Sequence, residues 1–212
     1  MGFTTFASAE EARIFIVTYS WPSGGVTLSC TIRFVPAISN ICFPAGTPIT
    51  TDQGPVPIEH LQPQVHTIHG QVIQHITQTV TLDPYLICFE PDALGLRVPT
   101  QRTILSKDHQ IEFNGHLVPA ERFLQYSSQV KKVKYTGEIL YNVLLDTYTT
   151  LSVNGLRCET LHPDNVIARL YTNNYSAVER NTLVGALNVA LVQRNWAKYK
   201  TVLDKIHHTH TL

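Results

Sequence analysis

The chain has 212 residues, enough for one substantial core with appendages or for two small domains. Apolar residues make up 43% and charged residues 15%, a composition that excludes a disordered chain. Sixteen basic residues balance sixteen acidic ones, so there is no electrostatic footprint for nucleic acid or an anionic membrane, and neither is expected as a partner.

The opening, MGFTTFASAEEARIFIV, carries two glutamates ahead of its apolar run and no basic region, so it does not read as a signal peptide. No window reaches the unbroken apolar length of a membrane span. Residues 1–41 hold two strand-like runs, 13–19 and 26–34, separated by the turn formers from Trp21 to Gly25. Two strands alone are marginal in water, so this zone is expected to pack on something or to belong to a larger upstream unit.

From 42 to about 170 the chain is rich in short β-type runs, at 65–68, 71–82, 85–89, 100–105, 110–113, 138–145 and 149–153. Turn signals separate them: Gln53-Gly54-Pro55, His69-Gly70, Asn114-Gly115 and Asn154-Gly155. This pattern predicts a compact, mainly β domain. Residues 119–125 predict a short helix with Pro119 in its first turn. Residues 176–206 predict one long helix. Ser176 and Glu179 form a capping-box pattern, followed by an apolar stripe at Val184, Leu187, Leu191, Val192, Trp196, Tyr199 and Leu203 that fits core packing. The domains expected are therefore 1–41, 42–170 and 171–212.

The four cysteines, Cys30, Cys42, Cys88 and Cys158, show no short spacing. That pattern fits neither a zinc site nor a disulfide framework, so free thiols in a reducing, cytoplasmic setting are expected, with no metal and no other cofactor. Cys42 lies in Ser39–Leu61, SNICFPAGTPITTDQGPVPIEHL. Most lone cysteines are small buried hydrophobes, but Phe43-Pro-Ala-Gly-Thr-Pro48 reads as an irregular lead into a strand. A thiol there can reach its own preceding carbonyl, provided that a base activates it. His109 is the best base, in Ser106-Lys-Asp-His109, where a hydroxyl three residues before a histidine puts both at a turn. Spacing alone also fits, and favours, a capped turn with a surface histidine. Cys158 follows the Asn154-Gly155 turn on a returning strand, where a packed thiol is the simpler reading. His60, His66, His69 and His75 fit solvated hairpin positions better than a metal site, since His66 and His69 are an odd number of residues apart.

Taken together, these segments resemble the Hint family of inteins, hedgehog autoprocessing regions and bacterial intein-like domains. Cys42-Phe-Pro-Ala-Gly-Thr-Pro-Ile49 is similar to its first block, and Thr50-Thr-Asp-Gln-Gly54 with Val56-Pro-Ile-Glu-His-Leu61 to the continuation. Ser106-x-x-His109 resembles the Thr-x-x-His block. Tyr141-Asn-Val-Leu-Leu-Asp146 and Leu151-Ser-Val-Asn-Gly-Leu156 resemble the final block. The phrases ICFPAGTP and VNGLRCETLHP are similar to those in Hint proteins of giant viruses. The resemblance covers roughly residues 42–165.

It implies a β-horseshoe and an N–S acyl shift in which the Cys42 thiol attacks the Ile41 carbonyl to give a thioester. His109 would transfer the proton, and Ser106 would orient it or hydrogen-bond near the scissile bond. The substrate would be the chain's own N-terminal segment, and the acyl acceptor water, a thiol or another nucleophile. Cys158 would enter as a second thiol, by transthioesterification or a disulfide with Cys42. Asn142 stands where the family usually has an aspartate, which removes a carboxylate that tunes the nucleophile. Glu159 and Thr160 stand where splicing members have His-Asn, so cleavage without full splicing is expected. A viral member would act in the host cytoplasm or the virion. Two rivals remain: an inactive Hint fold serving as a structural or interaction module, and a cysteine hydrolase acting on other chains.

Overall fold

The computed structural model describes residues 14–20, 27–33 and 41–208. The chain divides into two compact units, Met1–Ala37 and Ile38–Leu212. In the first, β1 (Ile14–Ser20) and β2 (Thr27–Arg33) form an antiparallel pair with Ile14 opposite Arg33 and Ser20 opposite Thr27. The expected turn over residues 21–25 lies outside the described residues.

The second unit is mainly β. Its strands are β3 (Phe43–Pro44), β4 (Pro48–Thr51), β5 (Gly54–Pro57), β6 (Thr67–Ile68), β7 (Gln71–Thr79), β8 (Tyr85–Phe89), β9 (Thr103–Leu105), β10 (Gln110–Phe113), β11 (His116–Pro119), β12 (Val130–Lys134), β13 (Leu140–Leu145), β14 (Thr150–Val153) and β15 (Leu156–Glu159). They pair antiparallel in the orders β11-β10-β15-β14, β12-β8-β9, β3-β13-β7-β6 and β4-β5. Three two-residue turns do what their sequences dictate. His69-Gly70, Asn114-Gly115 and Asn154-Gly155 all take positive φ, the geometry that matches the right-handed twist of the strands they join.

Among the described residues, the alternation along the strands places the site between two of the buried clusters. The larger holds Phe43, Ile49, Ile73, Ile87, Phe89, Leu105, Ile111, Val143, Leu151 and Cys158. The smaller gathers Cys42, Leu86, Tyr135 and Leu140. Because β3 pairs with β13, Phe43 lies opposite Tyr141, and the residue after Tyr141 comes beside the bond that precedes Cys42.

Two helical expectations change. Pro119 closes β11 and caps a 3-10 turn over Ala120–Gln125, so it lies ahead of the turn and not inside it. The long helix is two. α2 (Ala177–Val192) and α3 (Trp196–His208) are separated where Arg194 takes φ +50 and the Asn195 carbonyl oxygen Oδ1 caps α3 by accepting from Lys198 N at 3.0 Å. The break turns the stripe: Val184, Leu187 and Tyr199 are buried, whereas Val192 is exposed. The Ser176–Glu179 capping box is present as expected. A shorter helix, α1 (Val166–Thr172), begins at Asn165, whose side chain accepts from Ile167 N. No helix of the described residues is long and apolar enough to cross a membrane.

Candidate autoprocessing site

Cys42 immediately precedes β3, Ser106 and His109 bound the link between β9 and β10, and Asn142 sits on β13. All four are buried, with Ile41 at 7% exposure, Cys42 at 2%, Asn142 and Ser106 at 1% and His109 at 0%. Polar side chains this deep must find partners, and here two of them, Asn142 and Ser106, find theirs on one peptide bond.

That bond joins Ile41 to Cys42. On one side, the Asn142 Nδ2 amide donates a hydrogen bond to the Ile41 carbonyl. Its Oδ1 accepts from Val143 N at 2.7 Å, which leaves the N–H face turned to the carbonyl. On the other side, Cys42 N donates to Ser106 Oγ at 2.8 Å, and Ser106 N donates back to the Cys42 carbonyl at 2.9 Å. The contacts span 101 and 64 residues of sequence, so the fold and not the local chain assembles them.

His109 N donates to the Ser106 carbonyl at 3.2 Å and closes the expected turn. The ring does not face water, which overturns the surface-histidine reading. Its centroid lies 4.3 Å from that of Phe43, and Nε2 lies 3.0 Å from the Glu159 carbonyl oxygen. A carbonyl only accepts, so Nε2 carries the hydrogen and Nδ1 holds a bare lone pair. That Nδ1 is buried without a hydrogen-bond partner. Burial pushes the His109 pKa down to about 4, against the opposing pull of the Glu159 and Cys42 backbone carbonyls. The ring is therefore neutral near pH 7. Burial drives the Cys42 thiol far above its ordinary range, so the resting sulfur is protonated.

The Hint domain family model matches residues 41–165. The chain belongs to the Hint domain family. Its second unit has the β-horseshoe architecture of that autoprocessing and splicing-type fold. A splice-inactive, GSH-linked variant of the AceL NrdHF class 3 split intein is similar at 14% identity and a TM-score of 0.35, over 56% of this chain and 96% of that one. No curated protein matches the chain.

Within this Hint fold, Cys42, Ser106, His109 and Asn142 come together and Cys158 does not join them. Cys158 lies in the middle of β15, opposite Ile111 on one side and Leu151 on the other, inside the larger cluster that excludes Cys42. Cys42, Cys88 and Cys158 are all free thiols. The Asn142 expectation also changes. The sequence suggests only a missing carboxylate there, whereas its amide gives the Ile41 carbonyl a donor that an ionised carboxylate lacks.

Sequence reasoning noticed Glu159 only as a departure and missed its contacts. At 5% exposure its Oε1 accepts from Gln110 N at 3.0 Å and its Oε2 from the Tyr148 hydroxyl at 2.7 Å. Thr160, the next residue, is locked to Thr149 by a 2.9 Å backbone bond and by its own hydroxyl at 3.0 Å. Among the described residues no group of three or more His, Cys, Asp or Glu is placed to hold a metal ion, and His69 occupies the hairpin turn itself.

Proposed function

We propose that this Hint domain cleaves its own backbone at Ile41–Cys42 by an N–S acyl shift. The observation that carries the reading is the two-sided grip on that one peptide bond, with Asn142 on its carbonyl and Ser106 on its N–H. Buried backbone groups need partners in any fold; what favours reaction here is that two distant side chains supply them, while a buried histidine nitrogen is left without one.

The steps follow from the resting protonation states. His109 Nδ1 takes the proton from Cys42 Sγ, and the sulfur adds to the Ile41 carbonyl carbon. The negative charge that collects on the Ile41 oxygen is met by the Asn142 amide, a preorganised donor in a water-poor site. The proton then passes from His109 to Cys42 N as the C–N bond breaks, leaving a thioester between the Ile41 acyl group and Cys42 Sγ and a free amine on Cys42. Proximity supplies much of the advantage, because the attacked carbonyl is adjacent to the nucleophile in the chain. Water consumes the thioester to give a carboxylic acid and the regenerated thiol; an added thiol gives a new thioester. Either releases residues 1–41. Such a reaction requires Cys42 to stay reduced, which fits action in the cytoplasm, or in the host cytoplasm or virion for a viral chain.

Action on other chains has less support. A groove of about 550 Å³ is lined by Glu59, His75, Tyr141, Tyr171 and Arg180, and none of Cys42, Ser106, His109 or Asn142 lines it.

Intact mass over time tests the reading. The purified chain and its Cys42→Ala variant would be incubated with and without dithiothreitol. Loss of residues 1–41 from the wild type alone, accelerated by the thiol, is expected. Unchanged full-length mass under every condition, including hydroxylamine, overturns it in favour of a structural or interaction module.

A further inference from the structure

His109 works in this scheme only if its bare nitrogen faces the reacting bond. In a neutral imidazole that is decided by what the other nitrogen touches. Here the contact is the Glu159 carbonyl, 3.0 Å from Nε2. That carbonyl lies at the last residue of β15, opposite Thr150 of β14, so the sheet fixes it from that side. What remains to be aimed is the segment that carries the ring, which meets β15 at Ile111 opposite Cys158, and the Glu159 side chain is in place to hold it. It folds onto the backbone N–H of Gln110, the residue that follows His109, and onto the Tyr148 hydroxyl. One residue therefore grips the 109–110 segment twice, by its carboxylate at the Gln110 backbone and by its carbonyl at the His109 ring.

We propose that Glu159 is a positioning residue that sets the tautomer and the aim of His109, with Tyr148 as its anchor. The role rests on the self-cleavage reading but acts through geometry alone. Glu159 touches neither the scissile bond nor the sulfur in any recorded contact. A buried carboxylate is costly unless its oxygens are satisfied, and both oxygens here are spent, one on the Gln110 backbone beside His109 and one on the Tyr148 hydroxyl. Burial raises the carboxyl pKa, opposed by those two hydrogen bonds and by His162. The proposed role asks for the two acceptor contacts and not for the charge.

That distinction shapes the test. In full-length chains carrying Cys42→Ala, which keep the bond intact, the His109 tautomer is read from imidazole ¹⁵N shifts and ring couplings. The parent should show a single Nε2–H tautomer. Glu159→Ala removes the hold on the Gln110 backbone beside the ring, and a mixture with Nδ1–H is expected. Glu159→Gln preserves both contacts, because its amide oxygen accepts from Gln110 N while its NH₂ donates to the Tyr148 oxygen, so the parental tautomer is expected to return. In chains with Cys42 present, release of residues 1–41 should slow roughly 10- to 100-fold for Glu159→Ala, within the range of a misplaced general base, and stay within about threefold for Glu159→Gln. Should Glu159→Ala fail to fold, Tyr148→Phe removes one anchor from the exposed side and should shift the tautomer part of the way. A pure Nε2–H tautomer in both Glu159→Ala and Tyr148→Phe overturns the proposal, as does a Glu159→Gln variant that behaves like Glu159→Ala. If the wild type never cleaves, the self-cleavage reading falls, while the tautomer measurement still decides the role of Glu159.

Discussion

Cys42 and Cys158 look alike by every simple measure. Both are buried, both are free, and burial raises both thiols far above their ordinary range. Their surroundings differ in kind. Cys158 sits mid-strand with antiparallel partners on both sides and apolar neighbours around it. Cys42 sits just ahead of a two-residue strand, and the peptide bond before it is held by the side chains of Asn142 and Ser106. The difference teaches that a nucleophile in such a fold is marked neither by its exposure nor by its resting acidity. Under the proposed self-cleavage, the mark is what the fold does to the Ile41 carbonyl. A high thiol pKa is compatible with reaction where a base such as His109 takes the proton during attack.

Removing the grip on the carbonyl should have the largest effect on this comparison. Asn142→Ala takes away the donor to the Ile41 oxygen, and loss of one such donor slows acyl chemistry roughly 10²- to 10³-fold. The rate of release of residues 1–41, followed by intact mass, would show it. Asn142→Asp should be as slow or slower near neutral pH, since an ionised carboxylate offers no proton to the developing oxyanion. A fast aspartate variant would mean that the amide contact is not what activates the bond, and Cys42 would then stand much closer to Cys158.

The next effect is one of pH, and it acts through rate and stability together. The His109 pKa in the fold is depressed to about 4, whereas an exposed histidine in the unfolded chain titrates near 6.5. Between those values the unfolded chain binds more protons, so stability rises with pH across the window. The contribution is fully present above about pH 6.5 and is lost as the pH falls through 4, with a full span of roughly 3 kcal/mol at about 1.4 kcal/mol per pKa unit. His109→Ala should flatten that part of the denaturation midpoint against pH. In the intact chain the cleavage rate should be level from pH 5 to 7 and fall below about 4, as the bare nitrogen becomes protonated. A rate midpoint near 6.5 would show His109 solvated and the site open.

Parts of this were legible in the sequence, and the pattern of success is physical. Asn114-Gly115 and Asn154-Gly155 specify their turns through their own φ preferences, and the strands 85–89 and 110–113 emerge with the expected bounds. Cys42, Ser106 and His109 were legible as a set by family resemblance. The burial of His109 was not, because it depends on Phe43 and on Glu159, fifty residues away. The donor role of Asn142 was hidden for the same reason: the residue looks like a lost acid until the fold sets it against Ile41. The break between α2 and α3 had a signal in Asn195, a good N-cap, but the apolar stripe runs through it and periodicity alone masks a cap. Tyr148 and Glu159 had no signal at all, since a hydroxyl and a carboxylate eleven residues apart are ordinary until strand pairing brings them together.

The smallest expected effect falls on Cys158, and it is the sharpest check on the contrast with Cys42. Cys158→Ala removes a sulfur from a filled cluster among Ile111, Leu151 and Leu156, with no partner lost. The cost is a small cavity, on the order of 1 kcal/mol in a denaturation experiment. Release of residues 1–41 should stay within about twofold of wild type, in oxidising and reducing buffer alike, since the Cys158 side chain packs in the larger cluster that excludes Cys42 and the backbone of β15 keeps its pairing. A fall of tenfold or more, or a redox dependence that disappears with the variant, would require the two sulfurs to communicate. The larger cluster would then have to open and deliver the Cys158 thiol to the acyl group, and the two cysteines would act in sequence. A wild-type rate in the variant, together with the lowered midpoint, leaves Cys158 as core and concentrates the chemistry on the single bond that Asn142 and Ser106 hold.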